Sequence, residues 1–223
     1  MKTYVLATQN PKKVKELRAI FREAGLGVVG LEDVDSLEPW DEPDEVGTTF
    51  AENARIKAAG YARQVVLRGL GPAYAGVIAD DSGLEVDALR GLPGVISSHY
   101  CTDGREAGMT REERDASNNA RVLRELEGIA AEGRGARFVC VMVAAGFDGR
   151  EIAAARGTFE GRIGAIGEVP RGEGGFGYDP IFLVGPGYER TGAELSAEEK
   201  NRLSHRGAAA RALAARLGGR TDA

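Results

Sequence analysis

The chain has 223 residues, 43% hydrophobic and 28% charged, with a formal net charge of −5. Those proportions fit a globular protein that buries roughly 70% of its extended-chain surface, and they exclude a collagen-like or disordered chain. The acidic balance offers no global basic field, so neither nucleic acid nor membrane is expected as a partner.

Residues 3–7 read as a short buried strand. Asn10 before Pro11 supplies an N-cap and a proline at the first helical position. Val14, Leu17, Phe21 and Ala24 share one helical face until Gly25 and Gly27 stop it. Residues 27–31 are a second strand, and the acidic stretch 31–48 reads as a loop. Thr49 and Glu52 form a capping box for a helix to about residue 67, broken by Gly69, Gly71 and Pro72. Residues 74–79 make a strand ending at Asp80-Asp81-Ser82-Gly83, with a short strand at 84–86 after the turn. Thr110 and Glu113 box a helix to about residue 126. Strands 138–145 and 151–158 flank Asp148-Gly149, a hairpin signal. A glycine-rich loop, 172–177, precedes a strand at 180–184. Ser196 and Glu199 open a short helix, and residues 208–217 form an alanine-rich one. Helices alternating with strands, plus a hairpin, predict an α/β fold with a mixed sheet. No repeat or linker divides the chain, so residues 1–223 read as a single domain.

Cys101 and Cys140 form no C-x-x-C pair, which points away from a zinc ribbon and towards a reducing cytoplasm. The apolar run at the N-terminus is too short for a signal peptide.

Several clusters carry possible chemistry. Thr8 to Lys13 follow a strand and open a helix, an anion-attracting arrangement, although taken alone a capped helix with solvated lysines is the favoured explanation. Asp80 and Asp81 end an apolar strand, where two carboxylates are costly without a cation. Adjacent strand residues face opposite ways, so only one of them is expected in a given cleft. Hard oxygens of this kind suit Mg²⁺, while an Asp-rich turn is the plain alternative. The acidic residues 41–52 read mainly as a solvated loop. Gly174 to Asp179 set glycines around two aromatics, either a platform for a flat ligand or a turn with core rings. Lys200 and Ser204-His205-Arg206 lie at a helix boundary, where Arg206 offers a planar donor fork.

Five stretches run in order from Leu6 to Ala209: LATQNPKKVKEL, TFAENARIKA, ADDSGLEVDALRGLPGVISS, GFGYDPIF and LSAEEKNRLSHRGAA. Together they resemble the inosine triphosphate pyrophosphatase family, the dITP/XTP pyrophosphatases. The resemblance implies an elongated mixed α/β structure with two lobes around a substrate cleft, and a homodimer. It implies Mg²⁺-dependent hydrolysis of deaminated purine nucleoside triphosphates to the monophosphate and pyrophosphate. Thr8, Asn10 and Lys13 match the triphosphate cradle, with Gln9, Pro11 and Lys12 between them. Lys57 matches a second phosphate-side lysine. Glu45 and Asp81 match the metal ligands, Asp81 also being the proton acceptor, and Ser82 follows as a substrate contact. Phe176, Gly177, Tyr178 and Asp179 match the base pocket, with Phe176 stacking on the purine. Lys200, His205 and Arg206 match the remaining substrate contacts. Three rival readings are a pyrophosphatase for other bases, a nucleotide sensor without catalysis and a simple phosphatase.

Overall fold

The computed structural model describes residues 2–35 and 38–218. The strands are β1 (Thr3–Leu6), β2 (Gly27–Gly30), β3 (Val77–Val86), β4 (Gly135–Ala145), β5 (Glu151–Ile163) and β6 (Phe182–Val184). The α-helices are α1 (Pro11–Glu23), α2 (Leu31–Val34), α3 (Phe50–Leu67), α4 (Arg111–Glu125), α5 (Ala197–Leu203) and α6 (His205–Arg216). The strands form one sheet in the order β2-β1-β3-β4-β5-β6. It is mixed: β1 runs parallel to β2 and β3, and β5 antiparallel to β6. No helix among the described residues is long and apolar enough to cross a membrane. The chain divides into two compact units, Met1–Asp81 with Cys140–Gly157 and His205–Ala223, and Ser82–Val139 with Thr158–Ser204.

In the first unit, β1, α1 and β2 make a parallel strand–helix–strand. Leu17, Ile20 and Phe21 of α1 pack with Leu6, Ile78 and Met142 from the strands and with Ala210 and Leu213 of α6. Small residues let α6 lie close to β5: a Cβ on Gly157 would stand 2.2 Å from the His205 carbonyl oxygen. Burial of His205, Arg206 and Gly207 extends α6 back to His205, ahead of the alanine run that marks it in the sequence. Part of the acidic stretch expected as loop is the single turn α2, tied by the Gly30 N–H to Asp33 Oδ2 at 2.6 Å. Thr49 and Glu52 cap α3 reciprocally, as their spacing predicts.

In the second unit, Val122 and Leu126 along α4 pack with Leu84, Val86, Tyr100 and Ile163. Phe138 and Phe182 rings lie 4.6 Å apart, and Phe159 and Phe182 rings 5.5 Å. Thr110 and Glu113 box the start of α4.

One expectation is corrected. β3 does not end in a turn at Asp80-Asp81-Ser82-Gly83; it runs unbroken from Val77 to Val86. Gly83 keeps an extended backbone there. Each carboxylate finds a cation beside it, so the strand carries both without breaking.

Candidate active site

The turn between β1 and α1 is held by its own side chains. Thr8 Oγ1 accepts from the Asn10 N–H and Asn10 Oδ1 from the Lys13 N–H, each at 3.3 Å. That caps α1, whose first N–H groups and dipole favour an anion. Pro11 is the first helical residue. Gln9 instead donates to the Trp40 carbonyl at 3.0 Å. The Lys12 side chain lies outside the described part of the structure. Lys13 Nζ reaches Asp80 Oδ2 at 3.1 Å.

Asp80 and Asp81 are both buried, 4% and 7% exposed. On one face of β3, Asp80 meets Lys13 and, at 3.6 Å, Arg206 Nε. Arg206 also donates to Glu16 at 3.1 Å. Burial alone would raise the Asp80 pKa; Lys13, Arg206 and Lys57 outweigh it and hold the carboxyl far below its ordinary range.

On the other face, Asp81 accepts from Asn53 Nδ2 at 3.1 Å and lies 4.0 Å from Lys57 Nζ. Lys57 donates to Glu45 Oε1 at 3.0 Å. Here burial, assisted by the charges of Glu45 and Asp80, outweighs Lys57 and pushes Asp81 up to about 6. Burial opposes the charge on Lys57, but Asp80, Asp81 and Glu45 prevail and raise its pKa.

Local sequence explains the convergence. The buried face of α3 runs Phe50, Asn53, Ala54, Lys57, Ala58, Tyr61, Ala62 and Val65, so Asn53 and Lys57 occupy an otherwise apolar stripe. The acidic segment lies down on that helix because Gly60 makes room for Pro43, whose Cγ would stand 2.5 Å from a Cβ there. The Gly47 N–H donates to Asn53 Oδ1 at 2.8 Å, which fixes the chain just beyond Glu45. Asn53 was not singled out from the sequence, although a polar residue in an apolar stripe was the available signal. Among the described residues no group of three or more His, Cys, Asp or Glu side chains is placed to hold a metal. Glu45 and Asp81 are a pair of hard oxygen donors carrying more negative charge than Lys57 offsets.

The second unit holds the other group. Ser82, next to Asp81 along β3, is half-buried. Phe176 is 42% exposed, with Lys200 Nζ 4.8 Å and the Arg111 guanidinium 5.2 Å from its ring centre. Asp179 is buried; it accepts from the Phe176 N–H at 2.7 Å and pairs with Lys200. Its carboxylate therefore folds the loop back on itself. Tyr178 is buried, its hydroxyl donating to the Ser97 carbonyl at 2.7 Å, and burial raises its pKa. Gly177 is held by Asp115 and Asn119 of α4, two residues that sequence reasoning missed. Arg111, Asp115 and Asn119 recur every four residues along α4, but that spacing does not name a partner outside the helix.

A family model described as the Ham1 family matches residues 4–216, a span that includes every residue of both groups. The chain belongs to the Ham1 family. A relative named dITP/XTP pyrophosphatase, from Nitratidesulfovibrio vulgaris, is 47% identical over 212 residues, covering 95% of this chain and 93% of its own. One of the same name from Bacillus subtilis is 42% identical over 213 residues, covering 96% of each. Among solved structures, a HAM1 protein from Coxiella burnetii matches with a TM-score of 0.76 and 37% identity, over 97% of this chain and 98% of that one. A dITP/XTP pyrophosphatase from Mycobacterium abscessus matches with a TM-score of 0.67 and 40% identity, over 98% and 100%. The six-stranded mixed sheet with flanking helices is thus a Ham1 fold.

Proposed function

We propose that this Ham1 chain is an enzyme hydrolysing the deaminated purine nucleoside triphosphates dITP, ITP and XTP to the monophosphate and pyrophosphate, and so clearing them from the nucleotide pool. The observation that carries the reading is the Asp81–Lys57–Glu45 group, in which buried Lys57 lies between buried Asp81 and exposed Glu45, together with the capped start of α1, a cradle for phosphate. The names of the relatives, nearly half identical to this chain, supply the substrate class.

The substrate brings about four negative charges, more than Lys13 and Lys57 neutralise. Glu45 and Asp81 fit one or more Mg²⁺ ions by donor type and by their surplus charge. When bound, Mg²⁺ would supply neutralisation of the phosphate oxygens. Asp81, with a pKa of about 6, suits the acceptance of a proton from the attacking water at neutral pH. Lys57 and Lys13 offset charge on the leaving pyrophosphate. The N-terminus of α1, with Thr8 and Asn10, cradles the phosphates. Phe176 is assigned to stacking on the base, with Gly177, Tyr178 and Asp179 shaping its loop and Ser82, Lys200, His205 and Arg206 as further substrate contacts. A buried donor facing position 6 of the purine donates to the oxygen of hypoxanthine or xanthine and is left unpaired by the amino group of adenine, a cost of about 1–3 kcal/mol.

We further propose that both compact units serve one catalytic domain, and that the protein works in the cytoplasm as a homodimer without nucleic acid or membrane. The free thiols Cys101 and Cys140 suit a reducing compartment, and the family resemblance supports the dimer, which light scattering on purified protein tests. The deciding assay is product analysis with ITP and Mg²⁺, run beside ATP, GTP and dTTP. Inosine monophosphate and pyrophosphate from ITP, with little turnover of the others, is expected. Orthophosphate release, or equal turnover of all four, would overturn the reading.

A further inference from the structure

We propose that Asp115 and Asn119 of α4 are positioning residues for this reaction: they clamp the backbone of Gly177 and thereby set how Phe176 is presented to the purine. The inference rests on the pyrophosphatase reading above and extends it to residues that touch no substrate.

Gly177 donates its N–H to Asp115 Oδ2 at 3.0 Å and accepts from Asn119 Nδ2 at 3.1 Å. Both polar groups of one loop residue are thus taken by side chains a helical turn apart on α4. Gly177 has φ +64° and a Cβ there would meet nothing within 4 Å, so glycine serves the backbone conformation rather than space. On the other side of Phe176, Gly175 has φ +76°, and a Cβ would stand 2.3 Å from Asp179 Oδ2. The Phe176 N–H itself is held by Asp179. The backbone beneath Phe176 is therefore fixed from α4 and from Asp179, while its ring stays 42% exposed. An aromatic ring so exposed gains little from folding; a rigid backbone beneath it suits a stacking surface prepared in advance. The clamp also has a cost: Asn119 Oδ1 is buried with no hydrogen-bond partner among the described residues, a penalty an apolar residue would avoid.

The test compares Asp115→Leu and Asn119→Leu with Asp115→Asn, whose amide oxygen still accepts from the Gly177 N–H. The leucine variants should raise the KM for ITP and the inhibition constant of inosine monophosphate by about tenfold, with kcat and inhibition by pyrophosphate little changed. Asp115→Asn should stay close to the parent protein. Hydrogen exchange at the Gly177 amide should quicken in Asp115→Leu. If exchange quickens while KM and monophosphate inhibition stay put, or if kcat falls with KM unchanged, the positioning role is overturned. Should the leucine variants not fold, Asn119→Asp keeps the shape, sets an acceptor against the Gly177 carbonyl, and carries the same expectation. Failure of the parent protein to turn over ITP would instead sink the pyrophosphatase reading, while the exchange result would still report on the clamp.

Discussion

Asp80 and Asp81 are the same residue type, adjacent on β3 and almost equally buried, yet they sit in opposite electrostatic states. Asp80 faces Lys13 and Arg206, and its carboxyl is held far below the ordinary range. Asp81 faces Lys57, which Glu45 also claims, and its carboxyl is pushed up to about 6. Burial penalises both alike. The difference lies in whether the surrounding cations outnumber the carboxylates. Asp80 is matched within the fold, so it binds α1 and α6 to the strand. Asp81 is left short of positive charge, a state that costs stability in the free protein and that a ligand bringing cations relieves.

The sharpest way to break this contrast is to neutralise each carboxyl in turn. Asp81→Asn should lower ITP turnover by about 10²–10⁴-fold, the range for losing a proton acceptor, with the fold intact by circular dichroism. Turnover within tenfold of the parent would remove Asp81 from the chemistry. Asp80→Asn should act first on folding. It strips Arg206, 3% exposed, of a carboxylate partner, and breaking such a buried pair costs about 3–5 kcal/mol. For a chain of this length that lowers Tm by roughly 10 °C. A loss below about 1 kcal/mol in urea unfolding would show that Asp80 is no tie between elements.

Much of this was legible before any coordinates. The capping boxes at Thr49 and Thr110 and the proline at Pro11 mark helix starts through local chemistry, and local chemistry survives folding. The continuity of β3 was not legible, because Asp-Asp-Ser-Gly is also good turn chemistry. Only the arrival of Lys13, Arg206 and Lys57 from other elements makes an extended Asp pair tolerable. Lys57 could be found by its place in an apolar stripe and by resemblance, and Asn53 by the same stripe. Asp115 and Asn119 act on a loop some 60 residues further along, and no periodicity within α4 names that partner.

The smallest effect separates the two carboxyls by pH. A folded-state pKa raised to about 6 means that, between about pH 4 and 6, the folded protein holds a proton at Asp81 that the unfolded chain has released. The Asp81 contribution to stability therefore falls as pH rises through that window. Asp80 has the opposite sign: its depressed pKa stabilises the fold above about pH 4, and that stability is lost as pH falls below it. Asn at position 81 resembles the protonated acid and escapes the first penalty. Asp81→Asn should therefore be more stable than the parent by about 1–3 kcal/mol at pH 7.5, with the gain fading to nothing near pH 4. Urea unfolding of both proteins across that range, without Mg²⁺ or nucleotide, measures the difference directly. A gain that does not depend on pH would mean that the substitution acts through packing. A loss at pH 7.5 would mean that Lys57 needs the Asp81 charge more than burial resists it, and the proposed shortage of positive charge around Asp81 would have to be given up.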